Sequence, residues 1–140
     1  EYLLQKGFSH ITVIDIAPSL TCNLAEKLAQ WNGKELTILT GNFFDQTGSY
    51  DIILEQTFFC ALDPQLRNRY VEKMYELLAP GGRLVGVLFN RTFEGGPPFG
   101  GSKEEYEHLF SKKFSRRRME ICYNSIPPRK DAELFIRMEK

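Results

Sequence analysis

Leu77-Leu78-Ala79-Pro80-Gly81-Gly82-Arg83-Leu84-Val85 decides the fold, because over this short span an amphipathic helix ends, the chain turns and an apolar strand begins. Upstream, Asp63 reads as a helix N-cap with Pro64 at the first helical position, and Leu66, Tyr70, Met74, Leu77 and Leu78 recur along one face. Before that helix lies Tyr50-Asp51-Ile52-Ile53-Leu54-Glu55-Gln56, an apolar run without strict alternation, the pattern of a strand covered on both faces. Strand, helix, Gly-Gly turn and strand make a βαβ unit. The polar pair Glu55-Gln56 falls at the end of the first strand, and open parallel sheets bind ligands beyond the carboxyl ends of their strands.

A chain of 140 residues with no shift in composition predicts a single domain, residues 1–140, around one core. Eighteen Lys and Arg balance eighteen Asp and Glu, so no net field draws the chain to nucleic acid or to a membrane surface. The one basic cluster, Arg116-Arg117-Arg118 after Lys112-Lys113, reads as a solvated face. Cys22, Cys60 and Cys122 are dispersed and odd in number, and His10 and His108 lie far from them; neither a metal site nor a disulfide framework emerges, which points to a reducing, cytoplasmic setting. No apolar run approaches the length of a membrane span or reads as a signal segment.

Glu1 to Gly7 looks like the last turns of a helix closed by Gly7 in the left-handed region. Ile11-Thr12-Val13-Ile14 is a strand ending at Asp15; Leu20, Leu24, Leu28 and Trp31 mark a helix that Asn32-Gly33 closes; Leu36-Thr37-Ile38-Leu39 is the next strand. Past the Gly-Gly turn a strand runs from Arg83 to Asn90, and a Gly- and Pro-rich loop follows to Gly101. Ser102-Lys103-Glu104-Glu105 fits a capping box opening a short helix to about Phe110. Alternation around Met119, Ile121 and Tyr123, a break at Pro127-Pro128 and a resumption at Leu134-Phe135-Ile136 predict an antiparallel pair. The sum is an α/β fold, a doubly wound, mostly parallel sheet with a C-terminal antiparallel hairpin.

Asp15, followed by Ile16, stands where a carboxylate can accept hydrogen bonds from both hydroxyls of a ribose, and equally where one caps a helix. Asn42 and Phe43 follow the next strand, suited to an adenine edge and face or to a turn and the core. Glu55 and Gln56, with Phe58 and Phe59 behind them, combine polar groups and rings as a charged amphiphilic ligand requires. Cys60 has no histidine placed to activate it, so no catalytic residue is assigned. Arg129 and Lys130, after the rigid Pro127-Pro128, are candidate anion contacts or plain exposed cations.

Taken in order, His10 to Ala17, Gly41-Asn42-Phe43-Phe44, Asp51 to Leu62 and Leu78-Ala79-Pro80-Gly81-Gly82 resemble the motifs of class I S-adenosylmethionine-dependent methyltransferases. Phe58-Phe59-Cys60-Ala61, Gly95-Gly96-Pro97-Pro98-Phe99 and Ile126-Pro127-Pro128-Arg129-Lys130 narrow the resemblance to the thiopurine S-methyltransferase-like branch, especially its halide and thiol methyltransferases. The resemblance implies a Rossmann-like fold, S-adenosylmethionine as cofactor with S-adenosylhomocysteine as product, and a small-molecule acceptor among thiols, thiocyanate, thiopurines and halides. It implies that Asp15 and Ile16 meet the ribose, Asn42 and Phe43 the adenine and the Glu55-Gln56 segment the methionine end, while Phe59, Phe99 and Arg129 line the acceptor pocket. Plant members carry an Asp-Tyr pair where Glu55-Gln56 stand, so a role resting on that phenol does not transfer. In the family a strand and a glycine-rich turn precede the helix that Glu1 to Gly7 completes; neither is in this sequence, which therefore reads as an N-terminally truncated fragment with two strand edges left unpaired. Two other classes fit parts of the pattern: a nicotinamide oxidoreductase, through Asp15, and a non-catalytic methyltransferase-like binding or scaffold domain. These 140 residues alone are expected to bind S-adenosylmethionine poorly, and tight binding by calorimetry would refute the fragment reading.

Overall fold

The first helical turn, Tyr2–Gln5 (α1), closes as the glycine predicts: Gly7 takes a φ of 83°, its N–H bonds the Leu4 carbonyl at 3.0 Å and the Phe8 N–H bonds that of Leu3 at 3.1 Å. These are the two bonds of a Schellman cap. A computed structural model describes every residue from Glu1 to Lys140, and the backbone separates into two units, Glu1–Gln46 and Thr47–Lys140. In the first, Ile11–Asp15 (β1) and Leu36–Thr40 (β2) pair in parallel, Ile11 opposite Leu36 and Asp15 opposite Thr40, with Pro18–Lys27 (α2) as the crossover. Leu4, Leu28 and Leu36 form its core, flanked by Ile11, Val13, Leu24 and Trp31. Two details differ from expectation: α2 ends at Lys27 rather than Trp31, and Leu20 is 58% exposed. Pro18 at the first helical position sets a phase that points Thr21 inward instead, where its hydroxyl shares a 2.7 Å bond with that of Thr40.

The second unit holds Tyr50–Gln56 (β3), Arg67–Leu77 (α3), Leu78–Phe89 (β4), Lys103–Ser111 (α4), Arg116–Ile121 (β5) and Glu133–Glu139 (β6), in a sheet ordered β3-β4-β6-β5. β3 and β4 are parallel across α3, and β6 returns antiparallel between β4 and β5, which is the expected C-terminal pair. The predicted caps are made. Asp63 accepts from the Gln65 N–H at 2.8 Å, opening a 3-10 turn that runs into α3, and Ser102 accepts from the Glu105 N–H at 3.2 Å at the start of α4. Tyr70, Met74 and Leu77 of α3 and Tyr106 and Phe110 of α4 are buried along with Leu84, Leu88, Leu134, Ile136 and Met138 of the sheet.

Gly81-Gly82 is not the turn that the sequence suggests. α3 passes directly into β4, and Leu78 stands opposite Tyr50 while Arg83 stands opposite Ile52, so the intervening residues bulge out of the ladder. Gly81 takes a φ of 76°, and the bulge is tied by bonds from the Gly81 N–H to the Lys140 carbonyl (2.9 Å) and from the Lys140 N–H to the Gly82 carbonyl (3.0 Å). Nor is β3 covered on both faces: Ile52 is 57% and Leu54 62% exposed, because alternation sends Glu55 toward α3 and these two the other way. β1 has β2 as its single strand neighbour and β3 has β4, consistent with the expected unpaired edges. No helix is long and apolar enough to cross a membrane.

Close approach of β4 to β3 demands a glycine at position 86, where a Cβ would overlap the Glu55 carbonyl oxygen and lie 2.5 Å from the Glu55 Cβ. Gly86→Ala is expected to cost about 3 kcal/mol of stability, at the upper end of overpacking effects, read as a lowered midpoint in urea.

Candidate functional site

Four of the predicted cofactor residues lie together at the carboxyl ends of β1 and β2. Asp15 Oδ1 accepts from the Ala17 N–H at 2.8 Å, and the Asp15 carbonyl accepts from the Gly41 N–H at 2.9 Å, tying the two strand-end loops. Asn42 Oδ1 caps the 3-10 turn Phe43–Asp45 by accepting from the Phe44 N–H at 3.0 Å, and Phe43 is half-buried with its ring edge-on to Phe44. Ile16 stands out into solvent. The local capping role and the ligand-facing role are therefore compatible here: Asp15 keeps a second carboxylate oxygen, Asn42 an amide NH2, and Ile16 and Phe43 supply apolar surface beside them.

In the second unit Glu55 borders a hollow at the strand end, as expected, but its carboxyl is taken up by protein partners. Its carboxyl is buried: Oε1 accepts from the N–H groups of Phe58 and Phe59, each at 3.0 Å, and Oε2 accepts from the Tyr70 hydroxyl at 2.7 Å. Burial raises its pKa above the ordinary carboxylate value, against the lowering effect of the Phe59, Tyr70 and Phe58 bonds; burial, then the Glu55 charge, pushes the Tyr70 phenol far up. Glu55 thus holds the strand-end turn in shape. Phe59 is likewise a core ring rather than a pocket wall: it is 1% exposed, edge-on to Tyr70 (5.0 Å) and Tyr106 (5.5 Å), with the Arg67 guanidinium 4.9 Å from its centroid. Phe58, in contrast, is partly exposed.

Beside this turn a hollow of about 10 Å³, room for roughly one water, is lined by Gln56, Thr57, Cys60, Phe89, Arg129 and Glu133 among others. Gln56 is exposed; Thr57 takes a φ of 65°, a strained conformation for a β-branched residue, such as functional sites often hold. Arg129, at the end of the 3-10 turn Pro127–Arg129, donates from Nη1 to Glu133 Oε1 at 3.3 Å and sits 5.2 Å over the Phe89 ring. The Cys60 thiol donates to the Thr57 carbonyl at 3.2 Å, and burial followed by the Glu55 charge raises its pKa, so it is held protonated. Phe99 is half-buried and its N–H bonds the Cys60 carbonyl at 2.6 Å, docking the glycine-proline loop on the same turn. Phe89 and Glu133 escaped the sequence reading because their roles arise from cross-strand pairing, Phe89 opposite Glu133.

A family model described as Thiopurine S-methyltransferase (TPMT) matches residues 7–137, nearly the whole chain and every strand-end loop described above. The chain belongs to the thiopurine S-methyltransferase family. Among its relatives, "Probable thiol methyltransferase 2" of Arabidopsis thaliana is 33% identical over 104 residues, 71% of this chain and 46% of that protein. "Thiocyanate methyltransferase 1" of Brassica oleracea is 32% identical over 124 residues (82% and 55%), and the "Thiopurine S-methyltransferase" of Vibrio parahaemolyticus is 40% identical over 80 residues (55% and 37%). The chain spans about half the length of the relatives it matches. The fold is also that of a SAM-dependent methyltransferase from Methanosarcina mazei (TM-score 0.75, 19% identity, 99% of this chain and 85% of that one). An N-methyltransferase from Bradyrhizobium japonicum solved with S-adenosyl-L-homocysteine shares it as well (TM-score 0.66, 17% identity, 92% and 65%).

In this member of the family the Glu55 dyad generates two expectations. Tyr70→Phe leaves Oε2 buried without its donor and is expected to cost about 2 kcal/mol in chemical denaturation. Since the folded-state pKa of Glu55 is raised, its contribution to stability is present in full below its ordinary 4.5 and is lost as pH rises through the folded value. Glu55→Gln should therefore gain on the wild type in melting temperature as pH is raised from 4.5 toward neutrality; a pH-independent difference would show that the carboxyl does not titrate against folding.

Proposed function

We propose that the protein transfers a methyl group from S-adenosylmethionine to a small soft nucleophile, a thiol before others. The observation that carries this reading is the family match running through the strand-end loops of both units, and relatives named for thiol, thiocyanate and thiopurine methylation support it. We take the two units as parts of one methyltransferase domain, since a single family model spans both. The unpaired cysteines Cys22, Cys60 and Cys122 favour a cytoplasmic setting.

Asp15 would take the ribose hydroxyls with its second oxygen, Ile16 and Phe43 would cover the nucleoside, and Asn42 would meet the adenine edge through its amide NH2. Gln56 would contact the methionine end, with Glu55 acting from behind by fixing the Phe58-Phe59 turn. In the first unit the donor set fits a nucleoside: one carboxylate, one amide and apolar surface. When bound, S-adenosylmethionine supplies a methyl group already activated by a sulfonium. That methyl would pass to a lone pair of the acceptor sulfur as the sulfonium leaves as a neutral thioether, and a thiol acceptor would give up its proton to solvent. The protein's share is alignment and exclusion of water, where proximity effects are large. Arg129 favours the thiolate form of an acceptor, and Phe99 bounds its pocket, with Phe59 packed behind rather than in contact.

The test is methyl transfer from radiolabelled cofactor to a panel of small thiols by the complete protein. Asp15→Asn, which keeps the Ala17 cap but removes the charge, is expected to raise the KM for cofactor about tenfold, near the lower bound for one charged hydrogen bond, with little change in kcat. Absence of any methyl transfer together with retained cofactor binding would favour the scaffold reading.

A further inference from the structure

Glu133 opens β6 directly opposite Phe89 of β4, and its carboxylate side chain is only 9% exposed. A carboxylate so enclosed needs a partner, and the one it meets is Arg129, whose Nη1 lies 3.3 Å from Oε1. The same guanidinium lies 5.2 Å from the Phe89 centroid, a cation–π distance. Arg129 itself belongs to a single 3-10 turn, Pro127–Arg129, so its head is placed by two neighbouring strands rather than by its own backbone. The other carboxyl at the hollow, Glu55, is already occupied by Phe58, Phe59 and Tyr70.

We propose that Glu133 is a positioning residue for the acceptor site: it fixes the Arg129 guanidinium against Phe89 and balances its charge, so that the site accepts a soft nucleophile carrying one negative charge and discriminates against one carrying two. The choice of substrate class rests on the methyl-transfer reading; the anion selectivity rests on the geometry alone. A guanidinium has five N–H donors, and the Glu133 bond leaves others for a monoanion. A second negative charge meets the Glu133 carboxylate, and nearby like charges in a half-buried site repel strongly, while Arg67, the other cation acting on Cys60, is already paired with Glu105.

Thiocyanate and thiosulfate test this, since both offer a soft sulfur and differ by one charge. In the complete protein, wild type is expected to prefer thiocyanate, and Glu133→Gln, which keeps an oxygen acceptor for Arg129, is expected to lower the thiocyanate-to-thiosulfate ratio of kcat/KM about tenfold, mainly through the KM for thiosulfate. Glu133→Asp is expected to restore most of the selectivity. The same comparison is made without cofactor by competition of each anion against chloride, followed by chloride NMR line broadening. Selectivity in that assay that Glu133→Gln abolishes supports the inference even if no methyl transfer is found, in which case the methyl-transfer reading alone falls. A Glu133→Gln protein with unchanged melting temperature and an unchanged ratio in both assays overturns it.

Discussion

The buried carboxyl of Glu55 is the contact on which the second unit turns. One side chain satisfies two successive backbone N–H groups of the strand-end turn and binds the Tyr70 hydroxyl of the covering helix, so β3, the Phe58-Phe59 turn and α3 share a single anchor. A carboxylate suits the position because it accepts several hydrogen bonds at once, which an apolar side chain of the same size does not. Those bonds offset only part of the cost of burying its charge, which is why its pKa stays raised. Gly86 completes the arrangement by letting β4 lie flush against the Glu55 backbone.

Much of the fold was legible because its signals are local. Gly7, Asp63 and Ser102 each announce a helix boundary through their own backbone or side-chain chemistry, and each does so in the structure. The apolar residues Tyr70, Met74 and Leu77 report a buried face by spacing alone. Where the reading went astray, the deciding partner was distant. Gly81-Gly82 looks like a turn until Lys140 is brought alongside to make it a bulge, and Leu20 looks like core until Pro18 sets the phase of α2. Tyr50 to Gln56 looked covered on both faces because apolar residues fill both, yet only the Glu55 side meets α3.

The candidate site divides in the same manner. Asp15, Ile16, Asn42 and Phe43 could be found by their place after short apolar strands, which is a property of the sequence itself. Glu55 was found by the same rule, but its direction follows from strand alternation, which the apolar run concealed. Phe59 followed as an acceptor contact from family resemblance and instead joins Tyr70, Tyr106 and Arg67 in an aromatic core. Glu133 and Phe89 become neighbours only when β6 folds back on β4, so no spacing in the sequence marks them.

The glycine-proline segment between β4 and α4 is pinned at several points. Its ends pair through the Arg91–Gly101 bridge, the Gly100 carbonyl accepts from buried Arg67 at 2.7 Å, and the Phe99 N–H is held by the Cys60 carbonyl. Arg67 in turn is clamped by Glu105 and by the Phe59 and Tyr106 rings. A stretch moored to the core in this way is a fixed wall rather than a swinging door. The neighbouring hollow is thereby given a rigid rim.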